Sequence, residues 1–264
     1  GGSHAQMTGR MLIAIEEVLV KEKPDALLVY GDTNSTMAGA LAAVKLQIPI
    51  IHVEAAARLG SLANPEEVNR VVTDHLSSVL FACVPSAMEF ARKEGLTRNL
   101  HLVGDPMYDA FLYYKGRKTL EEIRLKTLDG DLVAVPERFN YVTCHRQENT
   151  QTDESLRAIL LAMEQLGLPA VYPVHPRNHA AARRLMMEGS LSQILFVEPV
   201  GYLESNTLVC NADRIVTDSG GVQREAFFAA KPCVTVFDYV AWPETMDNNC
   251  NQLAKADTDD ILQK

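Results

Sequence analysis

Short apolar runs that alternate with helical segments are the feature that most constrains the fold of this chain. The run 26–30 precedes a polar loop and an alanine-rich helix at about 37–46, and the run 50–53 follows. This order is a βαβ unit, which requires a parallel sheet with a right-handed crossover. Further runs at 79–82 and 100–103 lack polar alternation, which is typical of strands covered on both faces.

The second half of the chain repeats this order. Its strands are predicted at 141–144, 170–174, 194–197, 214–217 and 233–237, separated by helices at about 153–166, 179–188, 202–210 and 222–230. The charged stretch 115–137 is expected to connect two domains, and 115–126 is expected to be a solvated linker. We therefore predict an α/β protein with two Rossmann-like, doubly wound domains, at 1–115 and 138–264. Such domains bind ligands at the carboxyl ends of their strands, so we expect the active site in the cleft between them.

The composition excludes several classes of protein. The net charge of -9 argues against a nucleic-acid or anionic-membrane partner. A membrane span needs about 18 or more consecutive apolar residues, and the sequence has no such run. The five cysteines are scattered without a C-x-x-C pair, which favours reduced thiols in a cytoplasmic protein and no metal site.

The segment 217–226 follows a predicted strand and opens a helix. Ser219 is suited to cap that helix, and the backbone N–H groups of Gly220 and Gly221 can approach an anion closely. A helix N-terminus carries unpaired N–H groups and partial positive charge, so the segment predicts a phosphate site. Glu225 lies one turn further on, where a carboxylate can bind two ribose hydroxyls. A serine-capped turn without a ligand explains the segment alone equally well.

Three acidic residues of the first half lie at predicted strand ends or at a helix start. Asp32 lies in GDTNST, Glu54 in HVEA and Glu66 in PEEVNR. Carboxylates crowded into one site push each other's pKa values apart, which suits one to act as base and another as acid. The structural alternatives are helix capping by Asp32 or by a threonine of GDTNST, and favourable first-turn charge at Glu66 or Glu67.

Histidine and arginine residues follow two strands of the second half. His145 and Arg146 come after the strand 141–144, and His175 follows the strand 170–174. An arginine binds phosphate through two parallel hydrogen bonds, and a histidine can donate a proton to a leaving phosphate or relay one. A purely structural role is the alternative for each histidine.

Taken together, these motifs resemble a known family. GDTNST, HVEA, PEEVNR, CHRQEN, VHPR and TDSGGVQREA occur in the order and approximate spacing of non-hydrolysing UDP-N-acetylglucosamine 2-epimerases, over nearly the whole chain. The resemblance implies the glycosyltransferase-B architecture and catalytic roles for Asp32, Glu54, Glu66 and His145. It also matches His175, Ser219, Gly220, Gly221 and Glu225 to UDP contacts, and we add Arg58 and Arg146 as predicted substrate contacts.

The resemblance implies that UDP-GlcNAc and UDP-ManNAc are interconverted by anti elimination and re-addition of UDP, without a metal or cofactor. We expect a homodimer. Alternatives are a 2-epimerase of a modified sugar such as UDP-2,3-diacetamido-glucuronate, a glycosyltransferase of the same architecture, or a binding protein without activity. The family's opening strand is absent, so we expect a chain shortened at both ends. After Glu54 the chain reads Ala55-Ala56-Ala57-Arg58, where the family usually has Ala-Gly-Leu-Arg.

Overall fold

The computed structural model describes residues 2–150, 152–240 and 242–264. Contacts between Cα atoms divide the chain into two units, Gly1–Pro106 and Met107–Lys264. The domain boundaries 1–115 and 138–264 stay a prediction. Within the described residues, every helix is too short or too polar to cross a bilayer.

The first unit is built on a four-stranded parallel sheet in the order β1-β2-β3-β4. Its elements are α1 (His4–Glu22), β1 (Leu27–Tyr30), α2 (Asn34–Lys45), β2 (Ile50–Val53), α3 (Pro65–Leu76), β3 (Val79–Ala82), α4 (Pro85–Lys93) and β4 (Leu100–Leu102). Small side chains such as Ala42 and Ala43 pack with Leu19 and Ile50 in its core. Because all four strands are parallel, the loops after them lie at one edge of the sheet.

Helix α3 begins where its sequence predicts. The side chain of Asn64 accepts a hydrogen bond from the backbone N–H of Glu66 at 3.0 Å, and Pro65 occupies the first turn. Residues spaced three or four apart share a helix face. Glu67, Arg70 and Asp74 therefore lie on one face, and all three are buried.

The second unit contains a six-stranded parallel sheet, in the order β12-β11-β10-β7-β8-β9, and a two-stranded hairpin. Its elements are α5 (Pro106–Tyr114), β5 (Arg124–Lys126), β6 (Leu132–Ala134), β7 (Asn140–Thr143), α6 (Gln147–Thr150), α7 (Asp153–Gln165), β8 (Ala170–Pro173), α8 (His179–Met187), β9 (Ile194–Val197), α9 (Tyr202–Asn211), β10 (Ile215–Thr217), α10 (Gly220–Phe228), β11 (Cys233–Val236), β12 (Asn251–Ala254) and α11 (Thr258–Leu262). The central strands β7 and β10 are buried along nearly their whole length, as is typical of parallel strands that are covered on both faces.

All nine predicted strands are present, and their ends agree with the structure within one residue. One expectation about their burial is wrong. Strand β4 is at the edge of its sheet, so Leu102 is 53% exposed and the strand is not covered on both faces.

The expectation of a solvated linker at 115–126, within the connection 115–137, is also wrong. Ile123 and Leu125 are buried in the core of the second unit. The hairpin β5–β6 lies within this stretch, and Glu198 donates a backbone hydrogen bond to Lys126 at 2.7 Å. Strand β5 alternates between exposed and buried positions. It was not predicted because both neighbours of Leu125 in the sequence are charged.

Candidate active site

In the first unit, Asp32 lies in the loop after β1 and forms an ion pair with Arg70 of α3. The backbone carbonyl of Asp32 accepts a hydrogen bond from the Asn69 side chain at 2.8 Å. Helix α3 therefore holds both the carboxylate and the backbone of Asp32. The sequence did not single out Arg70, although it lies in the quoted motif PEEVNR.

Glu54 follows β2 and has a left-handed backbone, with φ of 65°. Side-chain ligand atoms of Glu54, Cys83 and Asp105 all lie within 4.8 Å of one another. Cys83 follows β3, and Asp105 follows β4. Asp105 was not predicted, although its position after a strand offered the same signal as Asp32.

The two glutamates at the start of α3 have different environments. The carboxylate of Glu67 is buried and accepts the backbone N–H groups of Leu59 at 2.8 Å and Gly60 at 3.0 Å. Glu66 is half-buried. The structural role considered for these glutamates thus falls on Glu67, and Glu66 remains the candidate for chemistry.

Arg58 is buried in ion pairs. Its Nη1 donates to Asp74 at 2.7 Å, and its Nε and Nη2 donate to the two carboxylate oxygens of Glu94, both at 2.7 Å. Burial alone would lower the pKa of Arg58, but the two carboxylates outweigh it and raise the pKa. These contacts favour a structural role, and substrate binding by Arg58 stays a prediction.

In the second unit, the loop after β10 forms the start of α10. The Ser219 hydroxyl caps this helix by accepting the backbone N–H of Val222 at 3.3 Å. A Cβ added at Gly220 would meet no atom of the described residues within 4 Å, and one at Gly221 would lie 3.5 Å from Met107. Open space therefore adjoins unpaired N–H groups at a helix N-terminus, which is the geometry of an anion site.

Glu225 lies on α10 and is only 4% exposed. Burial raises its pKa, and a hydrogen bond from the Tyr202 hydroxyl and the charge of Arg224 oppose that rise. Burial and the nearby Glu225 charge raise the pKa of Tyr202 to about 12. Tyr202 therefore remains a neutral donor that orients the Glu225 carboxylate. The sequence analysis did not identify Tyr202 as a site residue.

His145, His175 and Ser219 line one cavity of about 190 Å³, together with Tyr141 and Val200. The two histidine rings are 5.7 Å apart. Burial first, and then the charges of His145 and Arg177, lower the pKa of His175. The structure thus brings three predicted site residues from three strand ends into one cavity.

Asp218 directly precedes Ser219, and its side chain is completely buried. Its carboxylate accepts the backbone N–H of His145 at 2.9 Å and of Arg146 at 2.9 Å, and lies 3.2 Å from Nδ1 of His145. Burial alone would raise the pKa of Asp218, but these hydrogen bonds outweigh it and the pKa lies below its ordinary value. Asp218 was quoted in a motif but not predicted as a site residue.

Arg146 lines a separate cavity of about 220 Å³ with the stacked rings of Phe237 and Tyr239. Its Nε donates to the carbonyl of Asp218 at 3.0 Å, and its Nη1 donates to the Tyr239 hydroxyl. These contacts hold the guanidinium at the carboxyl edge of the sheet.

Two parallel-sheet units, one with acidic strand ends and one with open space at a helix N-terminus, fit the two Rossmann-like domains of the glycosyltransferase-B architecture. The family model described as UDP-N-acetylglucosamine 2-epimerase matches residues 1–264. The chain belongs to this family. The predicted family and the predicted fold class are both confirmed.

Individual relatives agree with this assignment. The UDP-2,3-diacetamido-2,3-dideoxy-D-glucuronate 2-epimerase of Pseudomonas aeruginosa is 43% identical, over 100% of this chain and 73% of the relative. A UDP-N-acetylglucosamine 2-epimerase of Methanococcus maripaludis is 41% identical, over 99% and 73%. The crystal structure of the Methanocaldococcus jannaschii UDP-GlcNAc 2-epimerase with UDP-GlcNAc and UDP has a TM-score of 0.85 and 36% identity, over 100% and 74%.

Proposed function

We propose that the protein interconverts UDP-GlcNAc and UDP-ManNAc by inverting the sugar at C2. The observation that carries this proposal is the set of acidic residues at one edge of the first unit's sheet, with Asp32 and Glu54 in the loops that follow the adjacent strands β1 and β2. Membership of the family supports the reaction class. The sugar is supported by the names of the archaeal relatives.

The reaction requires a base, an acid and a site for UDP. A base removes the C2 proton while the bond between C1 and the UDP oxygen breaks. The electron pair of the C2–H bond forms the C1–C2 double bond of 2-acetamidoglucal, and the electron pair of the C1–O bond leaves with UDP. The UDP anion is bound by the helix N-terminus at Ser219, Gly220 and Gly221. A proton is then delivered to C2 from the opposite face while the UDP oxygen bonds to C1 again, so no atom is gained or lost.

Our proposal assigns these tasks to separate parts of the chain. The proposed acid and base groups are Asp32, Glu54, Glu66 and His145. General acid–base catalysis needs titratable side chains within hydrogen-bond reach of the reacting atoms. Glu225 binds the ribose hydroxyls, and His175 and Arg146 contact the phosphates.

A second candidate substrate is UDP-2,3-diacetamido-2,3-dideoxy-D-glucuronate. The 43% identity to the Pseudomonas aeruginosa enzyme favours it. We further propose that the enzyme acts in the cytoplasm as a homodimer, with the scattered cysteines as the support for a reducing compartment.

Incubation with each UDP-sugar in D2O tests the proposal. We expect deuterium to be incorporated at C2 of both UDP-GlcNAc and UDP-ManNAc. NMR detects the deuterium, and chromatography separates the two sugars. Exchange confined to the diacetamido-uronate would establish the second candidate. Release of UDP that depends on an added sugar acceptor, without C2 exchange, would identify a transferase and contradict the proposal.

A further inference from the structure

A buried histidine, His52, lies between the two loops that carry Asp32 and Glu54. Its side chain is 0% exposed, as is that of its partner Asp74. Nδ1 of His52 is 2.7 Å from the Asp74 carboxylate, and Nε2 is 2.8 Å from the backbone carbonyl of Gly31. Both partners are oxygen atoms that can accept a hydrogen bond, so each ring nitrogen of His52 faces an acceptor.

The contact with Gly31 fixes the loop that carries Asp32. Gly31 directly precedes Asp32 and has a left-handed backbone with φ of 62°. Its N–H donates to the carbonyl of Val53 at 3.0 Å, and its carbonyl accepts from His52. Both peptide groups of Gly31 are therefore tied to strand β2, which determines where the chain delivers Asp32.

The contact with Asp74 fixes the loop that carries Glu54. The Asp74 carboxylate accepts the backbone N–H of Ala56 at 3.1 and 3.2 Å, in addition to its contacts with His52 and Arg58. Glu54 and Ala56 have φ values of 65° and 63°. This conformation strains a residue that has a Cβ, so it persists only where the surroundings hold it. Asp74 supplies that hold at Ala56.

We propose that His52, together with Asp74, is a positioning pair that sets the spacing between the Asp32 and Glu54 loops for catalysis. This inference rests on the proposed function. The pair does not contact the substrate because both side chains are buried within the first unit. It acts through the two carboxylates, whose separation determines whether a base and an acid reach C2 from opposite faces. A displacement of about 1 Å can lower turnover about 100-fold.

Two substitutions separate the two contacts. The amide nitrogen of asparagine approximates Nδ1 of histidine, so His52→Asn keeps the donor to Asp74 and removes the donor to Gly31. The amide nitrogen of glutamine approximates Nε2, so His52→Gln keeps the donor to Gly31 and removes the donor to Asp74. His75→Gln is the matched control, because His75 is an exposed histidine on α3.

The measurements are kcat and KM for C2 exchange, each per UDP-binding site counted by calorimetry. We expect kcat to fall about tenfold to 100-fold in both His52 variants, while the UDP dissociation constant changes less than about twofold, because the proposed UDP contacts lie in the second unit. Counting UDP sites removes misfolded protein from the comparison. If one variant does not fold, the other still decides.

Wild-type kcat per UDP site in a folded His52 variant would overturn the positioning role. So would an equal loss of kcat in the His75→Gln control. A wild-type protein without C2 exchange on either substrate would instead refute the proposed function, so the two failures are distinguishable.

Discussion

The two units place polar groups at the same edge of a parallel sheet, but they hold these groups differently. In the first unit the side chains are interlocked: Asp32 pairs with Arg70, and Arg58 pairs with Asp74 and Glu94. In the second unit, backbone N–H groups at the start of α10 adjoin open space, and His145 and His175 line a cavity. This difference fits our proposal, in which the first unit holds the acid and base groups and the second unit binds the UDP anion.

Arginine substitutions in the two units give the largest expected contrast. In Arg58→Met, the buried Asp74 carboxylate loses its guanidinium partner and keeps only its contacts with His52 and Ala56, so we expect the free energy of unfolding to fall by about 3–5 kcal/mol. In Arg146→Met, the lost partners are the neutral Tyr239 hydroxyl and the Asp218 carbonyl, so we expect a loss of about 1 kcal/mol. Chemical denaturation measures both. Equal losses would contradict the proposed difference between the units.

The same pair tests the substrate contacts predicted from sequence. UDP affinity should fall in Arg146→Met, because the guanidinium lies among the strand ends of the second unit. It should be unchanged in folded Arg58→Met, whose guanidinium is already used by two carboxylates. A loss of UDP affinity in folded Arg58→Met would support the original prediction for that residue.

Carboxylate substitutions come next in expected size. We expect Asp32→Asn, Glu54→Gln and Glu66→Gln each to lower kcat by about 100-fold or more, the usual contribution of general acid–base catalysis. UDP affinity should stay constant, because the proposed UDP contacts belong to the second unit. The control is Glu89→Gln, an exposed glutamate on α4. Near-normal kcat in two of the three variants would remove the acidic cluster from the mechanism.

Most of the fold follows from local sequence patterns, because a strand covered on both faces reads as an uninterrupted apolar run. The strands that were not predicted are those whose burial depends on distant partners. In β5, Leu125 is buried between two exposed charged residues. In β12, Asn251 is buried because its amide donates to the carbonyl of Gln223 at 3.0 Å. The burial of these two residues cannot be predicted from the sequence of the strand that contains each of them.

The positions of the candidate site residues were also predicted only in part. Residues directly after a strand could be found, because parallel strands end at a common edge. Residues that act through a helix face could not: Arg70 and Asp74 hold the strand-end loops of the first unit from α3, and their spacing fits an ordinary amphipathic helix. The sequence also could not show that Arg58 faces two carboxylates rather than a ligand.

Glu225→Gln has a smaller expected effect and tests the receiving character of the second unit. The Glu225 carboxylate is buried and accepts from Tyr202, so it is oriented before any ligand arrives. Loss of its charge should weaken UDP binding by about 1–3 kcal/mol, the range for a hydrogen bond to a buried charged group. Calorimetry measures the change, with Glu188→Gln, an exposed glutamate of the same unit, as the control. Unchanged UDP affinity would remove Glu225 from the binding site.

The smallest expected effect concerns the pKa of His175. This side chain is exposed, so NMR can follow its titration. Burial, His145 and Arg177 all lower this pKa, and the His145 ring is 5.7 Å away. A positive charge nearby disfavours the protonated form of a histidine. Replacing His145 with asparagine removes that charge, so the pKa of His175 should rise towards its ordinary value. His175 should then be protonated over a wider pH range and attract a phosphate more strongly at mildly acidic pH. His101→Asn, in the first unit, should leave the titration of His175 unchanged. A fall in the pKa of His175 in His145→Asn would show that the two rings do not interact as two positive charges in one cavity.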